Sequence, residues 1–204
     1  MGPAISLVLF DLDGVLCDYD RRARVAHLAA LTGCSPEAVR AAIWDSGLEA
    51  RADAGLMSSE DYLQELGALL GHRLTLDHWL AARRAATTAR AEVIELAKAV
   101  ATGRRIAALT NNSHLLTDNM DRICPEIGAL FSRALFSTAS YGATKPAPQA
   151  YLRCLEELRA APAATLFVDD VKANVEGAVE AGLHGHLFVD AQTLAEQLTA
   201  LDLL

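Results

Sequence analysis

From Ile5 to Phe10 the chain is apolar apart from Ser6, and it then meets Asp11 and Asp13 on either side of Leu12, with Gly14 directly after. A short apolar run closed by glycine reads as a strand buried on both faces, of the kind found in the middle of a parallel sheet. In extended backbone, residues i and i+2 point to the same side, so the two carboxylates converge on one small volume at the strand's carboxyl end. Open parallel sheets bind their ligands along that edge. Carboxylates brought together repel unless a proton or a cation lies between them. An all-oxygen set suits a hard ion such as Mg²⁺.

The second half of the chain supplies this strand with partners. Strand candidates at Ile106–Leu109, Ala134–Phe136, Thr165–Val168 and His186–Val189 alternate with helical patterns. Those patterns run from Glu92 to a stop at Gly103, over Ser113–Ile123 and Pro148–Arg159, from Lys172 to Ala181 before Gly182, and over Leu194–Leu201. Such alternation requires right-handed crossovers and a sheet covered on both faces. The fold class is therefore α/β, a doubly wound, Rossmann-like parallel sheet.

Residues 18–86 contain no strand candidate and read as purely helical. Val25, Leu28 and Leu31 share a face that stops at Gly33, and Ser35-Pro36 starts another helix. Ser58 with Asp61 resembles a capping pair, Thr75 caps a helix carrying Trp79 and Leu80, and Gly47–Gly55 reads as a loop. The expected division is a core of residues 1–17 and 87–204 with a helical cap, residues 18–86, inserted after the first strand.

With 204 residues and 52% hydrophobic content, the chain has material for one domain and an insert. Its net charge of −8 argues against a nucleic-acid partner, because phosphate-backbone binding rests on clustered Lys and Arg. Cys17, Cys34, Cys124 and Cys154 show no metal-ligand spacing and read as free thiols of a reducing compartment. The first apolar run is too short to span a membrane and follows no basic segment. The expectation is a cytoplasmic protein without membrane or nucleic-acid partners, with monomer and homodimer both open.

Function follows from where the polar residues fall. Asp11 and Asp13, Thr110-Asn111-Asn112 and Asp169-Asp170 each close a strand candidate, and Thr144-Lys145-Pro146 precedes a helix. In a parallel sheet these tips share one edge. Together they could perform phosphoryl transfer, which needs a metal, donors for the phosphate oxygens and an in-line nucleophile. Asp11 could be that nucleophile, and Asp13 the acid toward the leaving oxygen and the base toward water. Thr110, the Asn111 amide and Lys145 could hold phosphate oxygens, and Asp170 with Asp169 could complete a metal site.

The order FDLDGV, LTNN, KP, VDD resembles the haloacid dehalogenase superfamily from the first strand to the last. The resemblance implies Asp11 as nucleophile, Asp13 as general acid and base, Thr110 and Asn111 as phosphate binders, and Lys145 as anchor of both phosphate and nucleophile. It further implies Mg²⁺ on Asp11, the Asp13 carbonyl and Asp170, with Asp169 and Asn174 behind them. A helical cap in this place is the family's arrangement for small substrates, here a sugar phosphate or a similar metabolite. Members that cleave carbon–halogen bonds lack a carboxylate at the position of Asp13, since a halide leaves without a proton. A phosphomutase of the β-phosphoglucomutase type and a non-catalytic phosphate-binding regulator remain as alternatives.

Other residues have plainer readings. Cys17 reads as a packed thiol and Trp44 and Trp79 as cap core. The six histidines form no ligand cluster, His114 lying nearest the site. Arg51, from its position in the cap loop, is a candidate contact for the leaving group.

Overall fold

A computed structural model describes residues 4–204, so the first three residues of the expected core segment lie outside the described residues. Five parallel strands form the central sheet: β1 (Leu7–Phe10), β4 (Arg105–Thr110), β5 (Leu135–Ser137), β6 (Thr165–Asp169) and β7 (His184–Leu187). Their order is β5-β4-β1-β6-β7. β1 sits in the middle, in register with β4 (Phe10 opposite Ala108) and with β6 (Phe10 opposite Val168). The chain leaves β1 toward one edge and returns for the other, which makes the carboxyl end of β1 a topological switch point.

Both faces of β1 are buried, as an unbroken apolar run requires. Leu7 and Leu9 pack with Leu109, Phe167 and Tyr151 on one side, and Val8 and Phe10 with Leu166, Val168 and Phe131 on the other. Phe10 meets Phe131 edge to face at 6.0 Å between ring centres. Deleting a ring so enclosed would cost about 3–5 kcal/mol, so the strand that carries the site is also the one the core holds most firmly.

The insert consists of the helices Arg21–Thr32, Pro36–Arg40, Leu48–Asp53, Ser59–Leu69 and Leu76–Ala86, with a wider turn at Ala41–Asp45. Their starts follow local chemistry. Asp20 accepts from the backbone of Arg22 and Ala23, Ser58 from Asp61, and Thr75 from His78, whose ring answers with a bond from the Thr75 N–H. Gly33 ends the first helix at φ 75°, a conformation that favours glycine.

The insert is not purely helical. β2 (Cys17–Tyr19) takes Asp18 and Tyr19 and pairs antiparallel with β3 (Thr87–Ala89). The two strands form a stem where the chain enters and leaves the insert, reinforced by Arg90 gripping Asp18 at 2.7 and 3.0 Å. Three residues carry no readable alternation, and proximity of the two crossings creates the pairing. Gly47–Gly55 is not a loop throughout, since Leu48–Asp53 is helical and buries Leu48 and Ala52, one turn apart.

Ser113–Ile123 is not one helix either. It divides into His114–Thr117 and Met120–Ile123, and a further helix, Pro125–Phe131, follows. The Asn119 side chain donates to the Leu115 carbonyl at 2.9 Å while its own backbone departs from helical angles, an example of a polar side chain competing with the helix ladder. The last strand lies two residues before its expected place. Gly185 admits this, because a Cβ there would come within 2.6 Å of Val175 on the helix Lys172–Glu180.

Candidate active site

Asp11 extends β1 by one residue, its N–H bonded to the Val168 carbonyl at 2.8 Å, and its side chain turns into the rim with 8% of the residue exposed. Lys145 enters from the loop before the helix Pro148–Leu158. Its Nζ lies 2.6 Å from Asp11 Oδ1 and 2.8 Å from Asp169 Oδ2. Asp169, at the end of β6, also accepts from the Val171 N–H at 2.8 Å and from the Asn174 amide, 3.1 Å from each carboxylate oxygen. The Asn174 carbonyl in turn accepts from the Tyr151 hydroxyl at 2.7 Å. Lys145, Asp11, Asp169 and Asn174 thus form one bonded chain that joins the tips of β1 and β6 to the lysine loop and the helix Lys172–Glu180.

The β4 tip is built differently. Asn112 donates through Nδ2 to Thr110 Oγ1 at 2.7 Å and to Asp13 Oδ2 at 3.1 Å, tying the second carboxylate of the first tip to the second strand. Asn111 clasps the Lys145 backbone: its Oδ1 accepts the Lys145 N–H at 2.9 Å, and its Nδ2 donates to the Lys145 carbonyl at 2.9 Å. The Asn111 side chain therefore places the lysine loop, and only its backbone N–H stands free of that task. Asn112, named from sequence as part of the Thr110-Asn111-Asn112 tip but given no role of its own, is what holds Asp13.

The site carries one ammonium against a cluster of carboxylates. Asp11, Asp169 and Asp170 each offer an oxygen within 4.8 Å of the others. Burial lifts the Asp11 carboxyl to about 7, against the pull of Lys145 and with the help of the Asp169 charge. Burial alone would depress Lys145, but Asp11 and Asp169 outweigh it and hold the ammonium above its ordinary value. Asp170 is also raised, by desolvation first and then by Asp169. Uncompensated negative charge among oxygen donors is the environment a hard divalent cation neutralises. The backbone is shaped for it as well. Gly14 holds φ 90° and a Cβ there would lie 2.6 Å from the Asp170 Cγ, so the missing side chain is the space in which the Asp170 carboxylate rests. These residues fit Mg²⁺.

The cap brings its own charges to this rim. Arg83, on the helix Leu76–Ala86, is 1% exposed and places Nη2 3.9 Å from Asp13 Oδ2. Its guanidinium lies 4.2 Å from the centre of the Tyr19 ring. Arg24, also buried, forms a two-pronged pair with Glu49 at 2.5 and 3.2 Å and donates to the hydroxyls of Tyr19 and Tyr62 at 2.9 and 2.8 Å. Sequence reasoning passed over both arginines, since a lone Arg in a helix reads as solvated until tertiary packing buries it. It named Arg51 instead, which pairs with Glu65 at the surface. Cys17 is buried, its Sγ 3.6 Å from Asp13 Oδ1, and burial pushes its thiol up. His114 is exposed.

The family model of haloacid dehalogenase-like hydrolases matches residues 5–182. The chain belongs to that family. It is therefore a hydrolase by descent. A phosphatase of Mycobacterium tuberculosis is 31% identical over 193 residues, covering 90% of this chain and 87% of the relative. A D-ribitol-5-phosphate phosphatase of Bacteroides thetaiotaomicron is 24% identical over 190 residues, covering 87% and 89%. Among solved structures, a haloacid dehalogenase family enzyme of Bacteroides thetaiotaomicron in complex with magnesium and inorganic phosphate superposes with a TM-score of 0.77 at 17% identity, covering 94% of this chain and 99% of that one. That likeness extends over the sheet and the helical cap together. No helix among the described residues is long and apolar enough to cross a membrane.

Proposed function

We propose that this hydrolase removes phosphate from a small phosphorylated metabolite, with Mg²⁺ and through an aspartyl-phosphate on Asp11. The observation that carries the reading is Asp13, a carboxyl group two residues after Asp11 that is held by a hydrogen bond from Asn112. Cleaving a phosphate ester releases an alkoxide, which needs a proton at once, whereas a halide needs none. The phosphatase names of the relatives and the magnesium and phosphate bound in the neighbour support the same choice.

In this reading an Asp11 oxygen attacks phosphorus as the ester P–O bond breaks, and Asp13 gives its proton to the departing oxygen. Asp13, now a carboxylate, takes a proton from the water that attacks phosphorus next. Phosphate departs and the Asp11 carboxylate is restored. Lys145 keeps Asp11 in place through both steps and meets a phosphate oxygen, and the Thr110 hydroxyl and the Asn111 N–H hold others. Mg²⁺ would be held by Asp11, the Asp13 carbonyl and Asp170, and would neutralise phosphate charge. Asp169 is already engaged by Lys145, Asn174 and the Val171 N–H, which suits it to support the site from behind. Residues 18–86, the insert that the stem closes off, act as the cap that excludes bulk water.

Asp11→Asn should lower phosphate release from an aryl phosphate by at least about a thousandfold, and chelation should abolish it until Mg²⁺ is restored. Asp13→Asn should harm alkyl phosphates more than aryl phosphates, whose leaving groups need less protonation. Full activity in Asp11→Asn, or equal losses on both substrate types in Asp13→Asn, would count against the mechanism.

A further inference from the structure

Two buried arginines lie in the cap, and their bonding differs. Arg24 has a carboxylate and two hydroxyls and leaves only Nε without an acceptor. Arg83 is as deeply buried, yet neither Nε nor Nη2 has an acceptor among the described residues. Those two nitrogens share the lateral edge of the guanidinium, the edge that grips oxygen atoms two at a time. Leaving buried donors unbonded is costly, and natural sites keep such groups where a ligand completes them. The Nη2 of this edge lies 3.9 Å from Asp13 Oδ2, beyond hydrogen-bond reach. The Asp13 side chain beside this edge is 27% exposed.

Charge selects the kind of oxygen. Arg83 already faces the Asp13 carboxyl group and the Tyr19 ring, and the Glu49 carboxylate lies within its field. What the guanidinium lacks is acceptor atoms, not counter-charge. A neutral hydroxyl oxygen supplies them, and the position of Asp13 at the ester oxygen puts that hydroxyl on the neighbouring carbon.

We propose that Arg83 recognises the leaving group, its Nε and Nη2 donating to a hydroxyl oxygen beside the phosphate-bearing carbon, so that the substrate is the phosphate ester of a neutral polyhydroxy alcohol or sugar. This rests on the phosphatase reading and narrows it. A site built to bond a hydroxyl discriminates strongly against the analogue that lacks it, because the protein donors are then stranded.

The test uses the full chain with Mg²⁺ and two substrates: a pentitol phosphate, and the analogue lacking the hydroxyl beside the phosphate-bearing carbon. The wild type should favour the hydroxylated ester in kcat/KM by about tenfold or more. In Arg83→Lys and Arg83→Met that ratio should fall toward unity. A ratio preserved in the variants, with both substrates losing equally, would mean that Arg83 only orders Asp13, and would overturn the proposal. Absence of discrimination by the wild type overturns it too, without any variant, which decides the matter if neither substitution folds by circular dichroism. An aryl phosphate serves as the reference. Its hydrolysis without discrimination between the pentitol pair overturns this inference alone, whereas no phosphate release from any ester overturns the phosphatase reading as well.

Discussion

The rim of the sheet and the interior of the cap each bury cations among carboxylates, and they complete them to different degrees. At the rim, Lys145 lies between Asp11 and Asp169, and Asp169 has its remaining bonds from Asn174 and the Val171 N–H. In the cap, Arg24 is closed by Glu49 and two tyrosines while Arg83 keeps an open edge. In the proposed reaction, the groups that would meet the phosphoryl centre, common to every substrate, are fixed before substrate arrives, as electrostatic preorganisation requires. The group left incomplete would then lie toward whatever is attached to the phosphate. On that reading the sheet does the chemistry and the cap makes the choice.

The strongest way to break that contrast is Lys145→Met. It would leave Asp11 and Asp169 facing each other in a buried site, at a cost of about 3–5 kcal/mol, and remove an anchor of the nucleophile. Denaturant unfolding and turnover should both register the change. Normal activity in a stable variant would show that the rim does not depend on its shared ammonium.

Glu49→Gln tests the cap in the same way. It deprives buried Arg24 of its counter-charge and should destabilise the cap by about 3 kcal/mol, while the rim keeps its bonds. Burial lifts the Glu49 carboxyl, but Arg24 outweighs it and holds the group below its ordinary value. Its contribution to stability is therefore present above the ordinary glutamate pKa of about 4.3 and is lost as pH falls through the lower folded value. Stability measured against pH should lose that acid limb in the variant. An unchanged acid limb would remove the pair from the cap's stability.

Gly14→Ala is a smaller perturbation at the rim. The added Cβ would press on the Asp170 carboxylate, at a φ of 90° that side chains resist. The Mg²⁺ concentration for half activity should rise by about tenfold, and an unchanged requirement would detach Asp170 from the metal.

A pH-dependent effect belongs to Asp53, on the cap near Ser113. Burial, with Glu49 beside it, lifts its carboxyl to about 7. The folded state then holds a proton that the unfolded state releases, so stability falls as pH rises between about 4 and 7. Asp53→Asn should flatten that slope, seen in melting temperature against pH.

The strand Leu7–Phe10 was legible because a core strand buried on both faces leaves an unbroken apolar run. The helix starts at Ser35, Ser58 and Thr75 were legible because capping is local. The divided helix after Ser113, the short helix Leu48–Asp53 and the stem of Asp18 and Tyr19 were not. Each is three to seven residues long, too short for periodicity to emerge, and each is decided by what lies across from it. The same holds for the site. Asp11, Asp13 and Asp169-Asp170 stand at readable strand ends and Lys145 shortly before a readable helix, whereas Asn112, Arg24 and Arg83 act through partners far along the chain.

Sequence alone determined the class of fold and the edge where the polar tips meet, because hydrophobic period and strand order follow from short-range physics. The tertiary structure decided which of those tips bond to one another, and that the Asn111 side chain serves the lysine loop. It also decided that one cap arginine is bonded by a carboxylate and two hydroxyls while the other has two nitrogens without an acceptor among the described residues. Burial turns a common surface residue into a group that must find a partner, and burial is a property of the folded whole.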